Sequence, residues 1–92
     1  MMYIRLTRGH LDPALVEEYV RVVGESTVPA LQQLPGFRGV HAGADRETGA
    51  LLAVSLWDTM EQALAVDVIR PQLEALGVEF AAPEVYEVHA QG

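Results

Sequence analysis

Apolar and polar residues alternate over positions 2–8, with Met2, Ile4 and Leu6 on one side and Tyr3, Arg5 and Thr7 on the other, which predicts a β-strand. After Gly9-His10-Leu11 the period lengthens. Asp12 suits an N-cap and Pro13 the first helical position, while Glu17 and Glu18 fall near the positive end of the helix dipole. Leu15, Val16, Tyr19, Val20, Val22, Val23, Leu31 and Leu34 form the apolar stripe of that helix. Gly24 and Pro29 interrupt it, and Pro29 cannot donate to a carbonyl four residues back. The pattern predicts a kink near 25–29 and no stop, because the stripe resumes at Ala30-Leu31.

Pro35-Gly36 ends the helix, and two strands follow, Phe37 to Ala44 and Ala50 to Trp57, adjacent and antiparallel across the turn Asp45-Arg46-Glu47-Thr48-Gly49. Asp58 or Thr59 caps a second helix, since Glu61 and Gln62 stand three residues on from each. Met60, Ala63, Leu64, Ile69, Leu73 and Leu76 recur at roughly helical intervals; Pro71 breaks or bends this helix and Gly77 ends it. Pro83 precedes a last strand from Glu84 to Ala90. The order is βαββαβ over residues 1–92, one domain, and few topologies accommodate it. The expected class is α+β, a ferredoxin-like fold with an antiparallel sheet in the order 4-1-3-2.

Such a sheet covers one face with its helices. The alternation assigns Ile4, Leu6, Val40, Leu52, Val54, Leu56 and Val88 to that face. The opposite face then carries Tyr3, Phe37, Trp57, Val85 and Ala53 beside Arg5, Ser55, His41, Glu87 and His89, too apolar a surface for water. A second copy packed on it through the sheet, giving a homodimeric α/β barrel, is the direct solution. The first strand lies between the fourth and third, so Arg5 neighbours Ser55 and Glu87 or His89, and an Arg5–Glu87 pair is expected because a buried guanidinium is costly without a carboxylate.

Composition narrows the function classes. Six basic against thirteen acidic residues leave a net charge of −7 with no Lys/Arg cluster, which disfavours nucleic acid and anionic membranes as partners. The absence of cysteine removes disulfides, thiol nucleophiles and thiolate metal sites. The apolar runs are too short to span a bilayer and Met1-Met2-Tyr3-Ile4-Arg5 does not resemble a signal peptide, so a cytoplasmic location is expected. The three histidines, His10, His41 and His89, show no metal-ligand spacing, and no metal is expected.

The chain resembles the antibiotic biosynthesis monooxygenase family of the dimeric α/β-barrel superfamily over nearly its whole length. Tyr3-x-Arg5, Val28-Pro29-Ala30-Leu31 with Leu34-Pro35-Gly36-Phe37, the Asp45–Gly49 hairpin, and Ser55-Leu56-Trp57-Asp58 leading to Glu61 and Ala63 carry the likeness. The resemblance implies a homodimer with a cavity between sheet and helices in each subunit. It also implies oxygenation of a small aromatic or quinol-type ligand without a cofactor. A deprotonated phenol can itself reduce dioxygen, so the protein need supply only an apolar cavity, a base and an anion-stabilising donor. The haem-degrading branch uses an Asn on the first strand and a Trp and a His on the second helix, and residues 60–76 hold neither.

His41 and His89, the strand histidines, are the candidate bases, since neutral imidazole accepts a proton near pH 7, and Arg5 or a tyrosine, Tyr3, Tyr19 or Tyr86, is the candidate anion stabiliser. Tyr3, Trp57 and Tyr86 are candidate substrate contacts, with Trp57 read as scaffold first. Two alternatives stand beside the oxygenase: a non-catalytic ligand-binding or structural dimer, and an isomerase-type use of the same cavity.

Overall fold

The computed structural model describes residues 1–66 and 69–92. Strand β1 (Tyr3–His10) lies inside the sheet, with β3 (Ala50–Trp57) on one side and β2 (Phe37–Ala44) beyond it. On its other side β1 pairs at one end with the two-residue β4 (Glu79–Phe80) and at the other with β5 (Glu84–Glu87). All pairings are antiparallel and the order is β2-β3-β1-β4, the expected arrangement read from the other edge. The short β4 continues the same edge as β5, and β5 stops at Glu87 where a strand to Ala90 was expected. Val88 N–H still donates to Met2 O at 2.8 Å.

The first helical stretch is continuous but changes pitch. A 3-10 turn (Pro13–Leu15) begins it, with Asp12 Oδ1 accepting from Ala14 N–H at 2.9 Å. Helix α1 (Val16–Val22), a π-helical segment (Val23–Thr27) and helix α2 (Val28–Gln32) follow. The expected kink is this π segment. Pro29 has no N–H for the carbonyl of Glu25 and its ring crowds that carbonyl, so the wider turn, in which Val28 N–H bonds Val23 O, accommodates it. The second helical stretch is split in two. Thr59, and not Asp58, closes a capping box with Gln62 at the start of α3 (Met60–Leu64), while Asp58 Oδ1 accepts from Arg38 Nε at 2.6 Å. Pro71 sits in the first turn of α4 (Arg70–Glu74), where its missing N–H costs nothing, so the interruption precedes the proline.

The hairpin from β2 to β3 turns on Asp45, whose Oδ1 accepts from the backbone N–H of Glu47 (2.8 Å) and of Thr48 (3.1 Å); these bonds hold its carboxyl below its ordinary range. Gly49 ends this turn at φ 80, and a Cβ there would lie 1.9 Å from the carbonyl oxygen of Leu11. Gly49→Ala is expected to lower stability by about 2 kcal/mol or more. Urea denaturation measures this, and a change under about 0.5 kcal/mol would show that the hairpin can move away from Leu11.

The face assignment read from the alternation is inverted. Arg5, Ser55 and Trp57 are buried at 7, 6 and 1% exposure beneath the helices, and Arg5 Nη1 donates to Ala63 O of α3 at 2.8 Å. Ile4, Leu6, Leu52, Val54 and Leu56 occupy the outer face, paired Ile4–Leu56 and Leu6–Val54 across β1 and β3. Alternation separates two sets of residues without saying which set the helices cover.

A bulge moves β2 as well. Phe37 opposes Trp57 and Gly39 opposes Leu56, so Arg38 is the extra residue, and Val40 then faces the helices with Ser55 while His41 faces outward with Val54. The Arg5–Glu87 pair is not made. The register sets Arg5 against Val85 and Glu87 against Tyr3, and the Glu87 carboxylate lies 3.6 Å from His89 Nε2.

Two buried clusters support the helical layer: Leu11, Val16, Tyr19, Leu51, Leu73 and Val78 at one end, and Leu31, Trp57, Ala63 and Val66 at the other.

Candidate functional site: a cavity between sheet and helices

Residues of both clusters line one cavity under the helices, Tyr19, Leu51 and Leu73 from the first and Leu31 and Val66 from the second. Its volume is about 80 Å³, below the roughly 300–1,000 Å³ of sites that hold drug-sized ligands. Most of the wall is apolar, and the polar side chains come from opposite sides.

Arg5, Thr7 and Ser55 stand on the sheet wall. Alternation puts Arg5 and Thr7 on one side of β1, and the β1–β3 register sets Ser55 directly opposite Arg5. Trp57 Nε1–H donates to Ser55 Oγ at 2.8 Å, which leaves the Ser55 hydrogen available to a further acceptor. Trp57 is otherwise a core residue, edge-on to Phe37 with ring centroids 5.4 Å apart and planes at 72°.

Tyr19, Val23, Thr27 and Leu31 form a row at four-residue intervals along the first helical stretch and line the facing wall. Burial raises the Tyr19 phenol above its ordinary pKa of 10, so it is a neutral hydroxyl at pH 7. Thr27 is 4% exposed, and among the described residues its Oγ1 has no hydrogen-bond partner. Arg70 lines the cavity from α4, with its guanidinium 5.3 Å from the Phe80 ring centroid and Nε 3.5 Å from Glu74. Among the described residues no group of three or more His, Asp or Glu side chains could hold a metal ion.

Two solved structures match this architecture over almost the whole chain. SnoaB, a cofactor-independent oxygenase from Streptomyces nogalater, superimposes with a TM-score of 0.67 at 17% identity, covering 98% of this chain and 95% of its own. The monooxygenase of the ActVA-Orf6 gene of Streptomyces coelicolor, solved with nanaomycin D, has a TM-score of 0.63 at 16% identity, covering 98 and 88%. The chain has the antibiotic biosynthesis monooxygenase-like fold. In sequence it is 32% identical over 82 residues, 88% of its length, to the uncharacterized protein Rv2558 of Mycobacterium tuberculosis (strain H37Rv). It spans about 35% of the length of the curated relatives it matches. No family model matches the chain.

Within this fold the candidates read from the sequence disperse. Among them Arg5 and Tyr19 line the cavity. Trp57 stands behind Ser55, and Tyr3 packs against the Trp57 cluster. Tyr86 is on the outer face, 53% exposed, and donates to Glu84 Oε1 at 2.5 Å. His41 and His89 are exposed, the first on the outer face and the second beyond β5, and His10 bonds Thr48 O at 2.9 Å. Thr27 was not singled out as a candidate. Its signal was a small polar side chain in the four-residue row Tyr19–Val23–Thr27–Leu31, and the irregular segment around Pro29 obscures that spacing.

Proposed function

We propose that the protein is a cofactor-independent monooxygenase acting on a small aromatic or quinol-type metabolite as a homodimer. The observation that carries this reading is the apolar cavity with Arg5, Thr7 and Ser55 on its sheet wall. The description of SnoaB as a cofactor-independent oxygenase and the nanaomycin D complex of the ActVA-Orf6 enzyme support it by analogy of fold.

In the proposed reaction a phenolic substrate enters with its ring against the aliphatic walls and its hydroxyl toward Arg5. The guanidinium, whose Nη1 also donates to Ala63 O, favours the phenolate, and Ser55 donates its remaining hydrogen to the same oxygen. The phenolate transfers electrons to dioxygen. One oxygen atom bonds to the ring and the other leaves as water with the two hydrogens lost from the substrate, which supplies all four electrons. With His41 and His89 exposed, we assign acceptance of the phenol proton to solvent. The homodimer is formed through the outer sheet face, where Ile4, Leu6, Val54 and Leu56 lie together.

The test follows oxygen uptake and quinone absorbance with 1-naphthol and 1,5-dihydroxynaphthalene. Turnover is expected to fall about 100-fold in Arg5→Met and to change less than about twofold in His89→Asn. Loss in the histidine variant would return the base to His89. The small volume of the cavity favours a second reading, a ligand-binding or structural dimer without turnover. Saturable binding of these probes with no oxygen uptake would establish it.

A further inference from the structure

The Thr27 hydroxyl has no role in the reaction as proposed above. A buried hydroxyl without a hydrogen bond is costly, and threonine in a helix normally returns its proton to the carbonyl three or four residues earlier. Here Thr27 is 4% exposed, its Oγ1 is without a partner among the described residues, and it lines the cavity. It occupies the last position of the π segment. The row Tyr19–Val23–Thr27–Leu31 contributes it to the wall facing Arg5 and Ser55. A hydrogen-bonding group kept unsatisfied at the surface of a cavity is suited to a ligand atom.

We propose that Thr27 is a specificity-determining residue that hydrogen-bonds a second oxygen substituent of the ligand, at the end of the ring remote from the oxygen held at the Arg5 wall. The inference deepens the aromatic-ligand reading and rests on it. It narrows the ligand class to aromatics with oxygen functions at both ends. An aromatic with oxygen at one end leaves the Thr27 hydroxyl unpaired in the complex and binds more weakly for that reason.

The experiment measures anaerobic binding of 1,5-dihydroxynaphthalene and 1-naphthol to the intact protein by calorimetry, for wild type, Thr27→Val and Thr27→Ser. Valine keeps the shape of threonine and removes the hydroxyl, whereas serine retains it. Wild type is expected to bind the dihydroxy compound about 10-fold more tightly. Thr27→Val should abolish that preference with the 1-naphthol affinity unchanged, and Thr27→Ser should restore it. Without ligand, Thr27→Val should melt several degrees higher, because an unsatisfied buried hydroxyl has been removed.

Retention of the preference in Thr27→Val overturns the inference alone. A lower melting temperature in that variant, with the preference intact, would mean that the hydroxyl serves packing or holds a water only. If wild type binds neither compound, the aromatic-ligand reading fails and this inference with it.

Discussion

Val54→Asp on the outer face of the sheet is expected to convert the proposed dimer of about 20 kDa, twice the 10.0 kDa chain mass, into a monomer in sedimentation equilibrium. Val54 pairs with Leu6, and Ile4 with Leu56, on a face where Leu52 and Tyr86 are 39 and 53% exposed. The helices lie on the other side, and Ile4, Leu6, Val54 and Leu56 are only partly buried in the single chain. A contiguous apolar patch of this kind on a small domain marks an interaction surface. A domain of 92 residues gains proportionately from burying it, since it removes only about 60–65% of its unfolded surface by folding alone. An unpaired carboxylate at the centre of such an interface costs about 3–5 kcal/mol, or roughly 100- to 4,000-fold in association. A wild-type mass of one chain at micromolar concentration would remove the dimer from the proposal. A Val54→Asp dimer would place the interface on another surface.

Trp57→Ala is expected to be the most damaging single change inside the domain, at about 3–5 kcal/mol. The indole is 1% exposed, packs edge-on against Phe37 and shares a cluster with Leu31, Ala63 and Val66. Its removal leaves a void beside the cavity and deprives Ser55 of the N–H that it accepts. Against the 5–15 kcal/mol total stability of an ordinary domain, that loss takes a large share. Trp57→Phe retains much of the packing and loses the hydrogen bond, with an expected cost of about 1–2 kcal/mol. Urea unfolding followed by far-ultraviolet circular dichroism compares the two without depending on indole fluorescence. Equal losses in Ala and Phe would assign the role of Trp57 to its N–H, and a loss below about 1 kcal/mol in both would show that Phe37 and Leu31 close over the site.

Local chemistry made much of the chain legible. Asp12 before Pro13, Thr59 with Gln62, and Asp45 ahead of Gly49 each act through hydrogen bonds within a few residues, and each forms the cap or turn its residues predict. Pro29 announced an irregular helix for an equally local reason, its missing N–H. The antiparallel sheet order followed from element sequence and short connections. Pro71 was harder to read, since a proline both interrupts a helix from within and starts one, and it stands in the first turn of α4.

The sites depended on information no local window contains. The more uniformly aliphatic side of β1 and β3 resembles a core, yet it is the outer one, and the side carrying Arg5, Thr7 and Ser55 lies under the helices. The expectation failed because hydrophobicity reports that a face is buried without naming its partner, helix layer or second chain. One residue, Arg38, reversed the outlook of His41 by entering a bulge, and a bulge is settled by pairing with β3. By itself the sequence determined the elements, their order, their caps and the polar residue types available. Tertiary packing decided which face of the sheet encloses the cavity, and therefore that Arg5, Ser55 and Thr27 meet there while the strand histidines remain outside, because only docking of the helices selects one of the two faces that a strand always presents.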